Sequence, residues 1–158
     1  MMKYPTSLQE LYAPEYSHCF GCGQIHPTGL HIKSYLTDSG TEAECRITPP
    51  DYYTGGVPHN LYGGAIAMFF DCHGTGSAAG FYMVHHGIEV TAENIDRFVT
   101  AHLEVDYLTP TPMQQELRII ATPTEVGARK VIMKMEMWAG DKKTATAMMV
   151  AVRIPAHH

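Results

Sequence analysis

The chain has 158 residues, 45% apolar and 17% charged, with a formal net charge of −5. That length fits one domain able to bury its own core. The acidic balance, with no basic patch larger than Arg129-Lys130 or Lys142-Lys143, argues against a nucleic-acid partner. No run approaches the ~20 apolar residues of a membrane span, and residues 1–11 lack the basic and apolar blocks of a leader peptide. Four cysteines, Cys19, Cys22, Cys45 and Cys72, suit a reducing compartment better than a disulfide framework. A cytoplasmic protein with no membrane partner is expected.

Residues 1–28, rich in Pro, Tyr and turn formers, read as an irregular lead-in to a domain over 29–155. Residues 30–36 alternate weakly and read as a strand, Asp38-Ser39-Gly40 as a turn, and 41–48 as the return strand, ended by Pro49-Pro50. A loop with Gly55-Gly56 and Pro58 follows. From Gly63 the texture changes: Ala65, Ile66, Ala67, Met68, Phe69 and Phe70 lead through Asp71, Cys72 and His73 to Ala78, Ala79, Phe81 and Met83. This run is apolar on every side, which predicts a buried helix. Gly74, Gly76 and Gly80 weaken such a helix by up to ~1 kcal/mol each relative to Ala unless close packing compensates.

Four strands are predicted after a polar loop at 87–96. The first, about 97–109, places Ala101, Leu103, Val105 and Tyr107 on one face before the break at Thr109-Pro110-Thr111-Pro112. The others lie at about 115–124, 129–138 and 143–154, with Val131, Met133, Met135 and Met137 alternating against Ile132, Lys134, Glu136 and Trp138. The short turns predict an antiparallel meander. Two strands, one long apolar helix and four strands define an α+β class in which the sheet must wrap the helix. His157 and His158 are assigned no role.

The segment Tyr62-Gly63-Gly64-Ala65-Ile66-Ala67-Met68-Phe69-Phe70-Asp71 resembles the start of the central helix in hotdog-fold acyl-CoA thioesterases of the 4-hydroxybenzoyl-CoA and phenylacetate-pathway type. The segment 99–112, a long strand before a Pro turn, and Gly127-Ala128-Arg129-Lys130 resemble later parts of the same family. The resemblance implies a curved antiparallel sheet around one helix, thioester hydrolysis, and a site shared between subunits of a dimer or tetramer. It also implies an acyl-CoA-like substrate and no cofactor besides the coenzyme A of that substrate. In the family an acid lies two turns into the helix, and Asp71 takes that position. Thr100 aligns with a Ser or Thr that helps place water in some relatives; taken alone it reads as an ordinary strand residue. Tyr62 stands where the family often has His, and Gly56 where some relatives carry Asn, which leaves His59 and Asn60 as candidates for that place.

The chemistry can also be argued from the residues themselves. A carboxylate among Ala, Met and Phe is expensive to bury unless it is partnered or used. Asp71 is therefore expected to act as a general base on water or as a direct nucleophile, against the plainer alternative of a solvated or backbone-bonded acid. Gly63 and Gly64 would open the amides of a helix N-terminus to a thioester oxygen, or simply admit close packing. His73, two residues past Asp71, points elsewhere on a helix and reads as structural or interfacial. Tyr62, Met68, Phe69 and Tyr107, with His59 and Asn60, are the expected substrate wall. Arg97, Arg129 and Lys130 are the cations placed to meet coenzyme A phosphates, although each singly also reads as a solvated residue. His18, Cys19, Cys22 and His26 offer metal-binding side chains, but no second Cys pair completes the pattern. A Gly-rich packing turn is the reading there, with Cys72 a small buried hydrophobe and no metal expected. A non-catalytic ligand-binding protein is the alternative function, with hydratase activity a weaker third.

Overall fold

The computed structural model describes residues 2–155; His157 and His158 lie outside the described residues. Two short 3-10 turns, Gln9–Leu11 and Pro14–Tyr16, precede β1 (Tyr35–Leu36), β2 (Ala43–Ile47), α1 (Gly63–His85), β3 (Arg97–Tyr107), β4 (Leu117–Val126), β5 (Lys130–Ala139) and β6 (Lys142–Ile154). The strands form one sheet in the order β1-β2-β4-β5-β6-β3, and every pairing is antiparallel. The helix contacts β1, β3, β4, β5 and β6. A curved sheet therefore wraps one helix, as expected for a hotdog fold.

The alternation in β5 is what seats the helix. Val131, Met133, Met135 and Met137 are fully buried, while Lys134 is exposed and Ile132, Glu136 and Trp138 are half-buried on the other face. Burial of each such side chain contributes roughly 1.5–3 kcal/mol. The helix glycines are sites of close approach: a Cβ on Gly74 would stand 2.5 Å from Met149, and one on Gly80 would stand 2.8 Å from Leu8 and 3.0 Å from Leu36. The lead-in is thus part of the core, with Leu8 1% exposed.

His73 closes a buried polar chain between lead-in, strand and helix. Gln9 donates to Ser34 Oγ at 2.9 Å and accepts from the Ser34 amide at 2.7 Å. Ser34 Oγ lies 2.7 Å from His73 Nδ1, and His73 Nε2 lies 3.2 Å from the Ala43 carbonyl. A carbonyl can only accept, so Nε2 carries the proton, Nδ1 accepts from Ser34, and the ring is neutral. Burial pushes the His73 pKa down to about 4. Of the two readings open in the sequence, structural or interfacial, the buried and bonded imidazole is structural.

Three features depart from the local sequence pattern. Only Tyr35–Leu36 of the first predicted strand pairs with β2, because residues before it bond the lead-in: Leu30 and Ile32 amides donate to Phe20 and Gly21 carbonyls, and Leu8 donates to Ser34. The meander holds for β4, β5 and β6, but β3 lies at the far edge beside β6. Its Pro-rich exit therefore carries the chain away from the sheet edge and is no hairpin. Finally, the β3–β6 register shifts between Thr100 and His102, leaving Ala101 as the extra residue of a bulge.

Candidate active site

Asp71 sits half-buried on α1, and its Oδ1 accepts a 2.5 Å hydrogen bond from the Thr100 hydroxyl of β3. The structure thus joins two side chains that lie 29 positions apart in the sequence. The bulge makes this possible. Thr100 and Tyr107 are an odd number of residues apart, so a regular strand would send them to opposite faces. The unpaired Ala101 restores the phase: Phe98 is buried, Thr100 meets Asp71, Leu103 and Val105 are half-buried against the core, and Tyr107 reaches the helix start. Ala101 itself is exposed, correcting its expected place on that face. Asp71 Oδ2 takes no hydrogen bond among the described residues, so one carboxylate oxygen is held while the other has no protein partner.

At the helix start, Tyr62 supplies no side-chain cap. Its carbonyl accepts from the amides of Ala65 and Ile66, which leaves the N–H groups of Gly63 and Gly64 among the unpaired donors of the first turn. Two grooves flank them. One, of about 370 Å³, is lined by Phe20, Tyr52, Tyr53, Tyr62, Gly64 and Met68, among others. The other, of about 390 Å³, lies between Gly63, Ile66, Tyr107, Leu108 and Pro110. The Tyr62 ring folds back over Gly64, where a Cβ would stand 2.4 Å from it, and the Tyr107 hydroxyl donates to the Gly63 carbonyl at 2.8 Å. Phe20, Tyr52 and Tyr53 are groove residues that sequence reasoning missed; for Tyr52 and Tyr53 their aromatic character close before Gly55-Gly56 could have suggested them, and for Phe20 no local signal exists.

Other expected site residues fall elsewhere. Phe69 is fully buried in the core and lines neither groove, because one helical residue turns it about 100° from Met68. His59 and Asn60 act through their backbones, accepting from Met113 and Gly55, and neither lines the grooves. Arg97 stacks over Tyr16 at 4.6 Å. It lies at the opposite end of β3 from Tyr107, beside the helix C-terminal half, where Phe98 meets Tyr82. Lys130 pairs with Val152 and Arg97 with Ile154, and the Arg129 carbonyl accepts from Arg153. Arg97, Arg129, Lys130 and the unanticipated Arg153 therefore gather at one end of the sheet. Arg153 bonds Asp96 at 2.7 Å and stacks on Tyr82.

The sulfurs of Cys19, Cys22 and Cys72 all lie within 4.8 Å of one another. The lead-in pair thus meets a helix cysteine. Among the described residues, His18 and His26 do not join this group; His26 Nδ1 instead accepts from the Thr28 amide.

With this geometry, residues 59–146 match the sequence pattern of the thioesterase superfamily, and the chain belongs to that superfamily. A thioesterase superfamily protein from Shewanella loihica PV-4 is 36% identical, with a TM-score of 0.66 over 89% of this chain and 97% of that one. The PaaI protein from the phenylacetic acid degradation operon of E. coli is 17% identical, with a TM-score of 0.63 over 79% and 80%. A Streptococcus mutans UA159 protein solved bound to acetyl CoA is 12% identical, with a TM-score of 0.60 over 73% and 82%. No curated protein matches the chain. Among the described residues, no helix is long and apolar enough to cross a membrane.

Proposed function

We propose that this protein hydrolyses an acyl-CoA or related thioester to the free acid and thiol. The observation that carries this reading is the Asp71–Thr100 hydrogen bond. It fixes one oxygen of a carboxylate on a buried helix and leaves the other free to take a proton from water. The water oxygen attacks the thioester carbonyl, and the carbonyl oxygen gathers negative charge. Helix-start amides at Gly63 and Gly64 are the donors suited to that charge. Collapse of the adduct expels the thiolate, which takes up a proton.

Gly63 and Asp71 lie eight residues apart, about 12 Å along one helix. The oxyanion donors and the base for one thioester therefore come from two chains, and the working unit is a homodimer or a pair of dimers. Coenzyme A enters as part of the substrate, with Arg97, Arg129 and Lys130 as its phosphate partners. The neighbour solved with acetyl CoA supports that ligand class. A substrate of this kind and four free cysteines fit a cytoplasmic setting.

One observation favours a second reading, ligand binding without turnover: the Tyr62 ring fills the space beside the Gly64 Cα, which crowds the helix start where a thioester oxygen would approach. Thiol release from short, long and aromatic acyl-CoAs, compared among wild type, Asp71→Ala and Asp71→Asn, decides between them. Turnover lost in both folded variants supports hydrolysis through Asp71. Saturable binding without thiol release from any substrate supports the second reading.

A further inference from the structure

The cluster of Cys19, Cys22 and Cys72 has no part in the chemistry above, yet the chain is built around it. A tetrahedral zinc with Zn–S bonds of about 2.3 Å holds its sulfurs about 3.8 Å apart. Cys19 Sγ and Cys72 Sγ are 3.9 Å apart, and all three sulfurs fall within 4.8 Å. The glycines of Cys19-Phe20-Gly21-Cys22-Gly23 admit this arrangement. A Cβ on Gly21 would stand 2.4 Å from Cys72 Sγ, and one on Gly23 would meet Ser17 O and the Cys19 backbone at 2.3–2.6 Å. The Gly23 amide closes the turn onto the Cys19 carbonyl at 2.7 Å. Three cysteine sulfurs brought together from the lead-in and the helix are a ligand set for a soft cation.

We propose that Cys19, Cys22 and Cys72 bind a zinc ion as three thiolates, with a small exogenous ligand in the fourth position, and that the metal clasps the lead-in to the central helix. The cysteines bind as thiolates, so their thiol protons are released to solvent. The clasp also fixes Phe20, which shares a groove wall with Tyr62 and Met68. The metal thus shapes the side of the groove that the lead-in supplies.

The test is titration of the reduced, metal-free full chain with Co²⁺ and then Zn²⁺ at neutral pH. One Co²⁺ per chain should bind, with thiolate-to-cobalt charge transfer and strong tetrahedral visible bands, and one equivalent of zinc should bleach both and raise Tm. Cys72→Ala should weaken zinc binding by more than ~100-fold, beyond the loss typical of changes outside the ligand set, while Cys45→Ala, at a buried cysteine outside the cluster, should retain it. In the wild type, zinc should also slow alkylation of exposed Cys19, a readout that does not depend on how any variant folds. Absence of the charge-transfer band, a band that survives in Cys72→Ala, or alkylation indifferent to zinc would each overturn the proposal.

Discussion

The Thr100 hydroxyl reaches Asp71 Oδ1 across the gap between edge strand and helix, and it does so because Ala101 bulges out of the β3 ladder. A hydrogen bond to a charged group contributes about 1.5–3 kcal/mol. Thr100→Val should therefore lower kcat by ~10- to 100-fold, while Thr100→Ser keeps most of the rate. Asp71→Asn should lose ~10²–10⁴-fold, the usual contribution of a general base. Steady-state kinetics on the best acyl-CoA of the panel checks both, and an unaltered kcat in Thr100→Val would remove Thr100 from the site.

General-base hydrolysis and nucleophilic attack followed by water entry at the Asp71 carbon leave different isotopic traces. In a single turnover in H₂¹⁸O, a water activated by Asp71 puts the label into the product acid. Attack by Asp71 itself forms an anhydride; water entering at the Asp71 carbon of that anhydride returns an unlabelled acid and labels the enzyme. Labelled acid with an unlabelled Asp71 is expected, read by mass spectrometry of product and digested protein.

Gly63→Pro offers a clean removal of one helix-start donor. Proline is favoured at the first helical position and lacks the N–H. Tyr62 already has φ −58 and ψ 128, which suits a residue before proline, and a Cβ on Gly63 would sit 3.5 Å from Tyr107, an ordinary contact. The variant should fold and lose ~10²–10³-fold in kcat, the scale of one oxyanion donor. Mixed and re-equilibrated with Asp71→Asn, it should recover about a quarter of wild-type activity, since two-fold heterodimers carry one intact site. No recovery would argue that both groups act within one chain.

Gly64→Ala should displace the Tyr62 ring, because the new methyl would stand within 2.4 Å of it. Tyr62 is 57% exposed, so its ring swings into solvent at little cost, and replacing a helical glycine contributes up to about 1 kcal/mol; a Tm at or above the wild-type value is expected. Gly64→Ala should then stabilise the Tyr62→Ala background by at least as much as it stabilises the wild type. A double-mutant cycle by thermal melting measures the coupling.

His73 makes stability depend on acidity. Its folded pKa of about 4 lies below the ordinary 6.5, so the unfolded chain binds the proton more readily between those values. The stabilisation is complete above pH 6.5 and is lost as pH falls toward 4, up to about 3 kcal/mol. Denaturant melts from pH 7.5 to 4 should show this decline, and His73→Gln should flatten it. An equal decline in both proteins would place the acid sensitivity elsewhere.

Much of the fold is legible because burial leaves a local trace. The all-apolar run from Gly63 and the alternation of Met133, Met135 and Met137 each name their element and face. What stays hidden is long-range. No local pattern says that β3 pairs with β6 rather than β4, or that Ala101 is an extra residue. Nor does any pattern bring Cys72 to Cys19, 53 positions away. A helix apolar all round carries no periodicity to separate Met68, on a groove, from Phe69, in the core. Asp71 and Thr100 were legible as candidates, one from an acid in apolar surroundings and the resemblance, the other from the resemblance alone. Their contact was not.

The strand β3 runs alongside the helix like a ruler laid in reverse, with Arg97 at the basic end, Thr100 at the carboxylate and Tyr107 at the amide end. Its graduations count true only because one residue is miscounted at position 101. Deleting Ala101, or adding a residue before 107, would leave Arg97, Thr100 and Tyr107 in the chain and turn one functional zone to solvent. The spacing of this strand is thus under tighter constraint than its composition, and length changes in homologues should accumulate in the loops at either end of it.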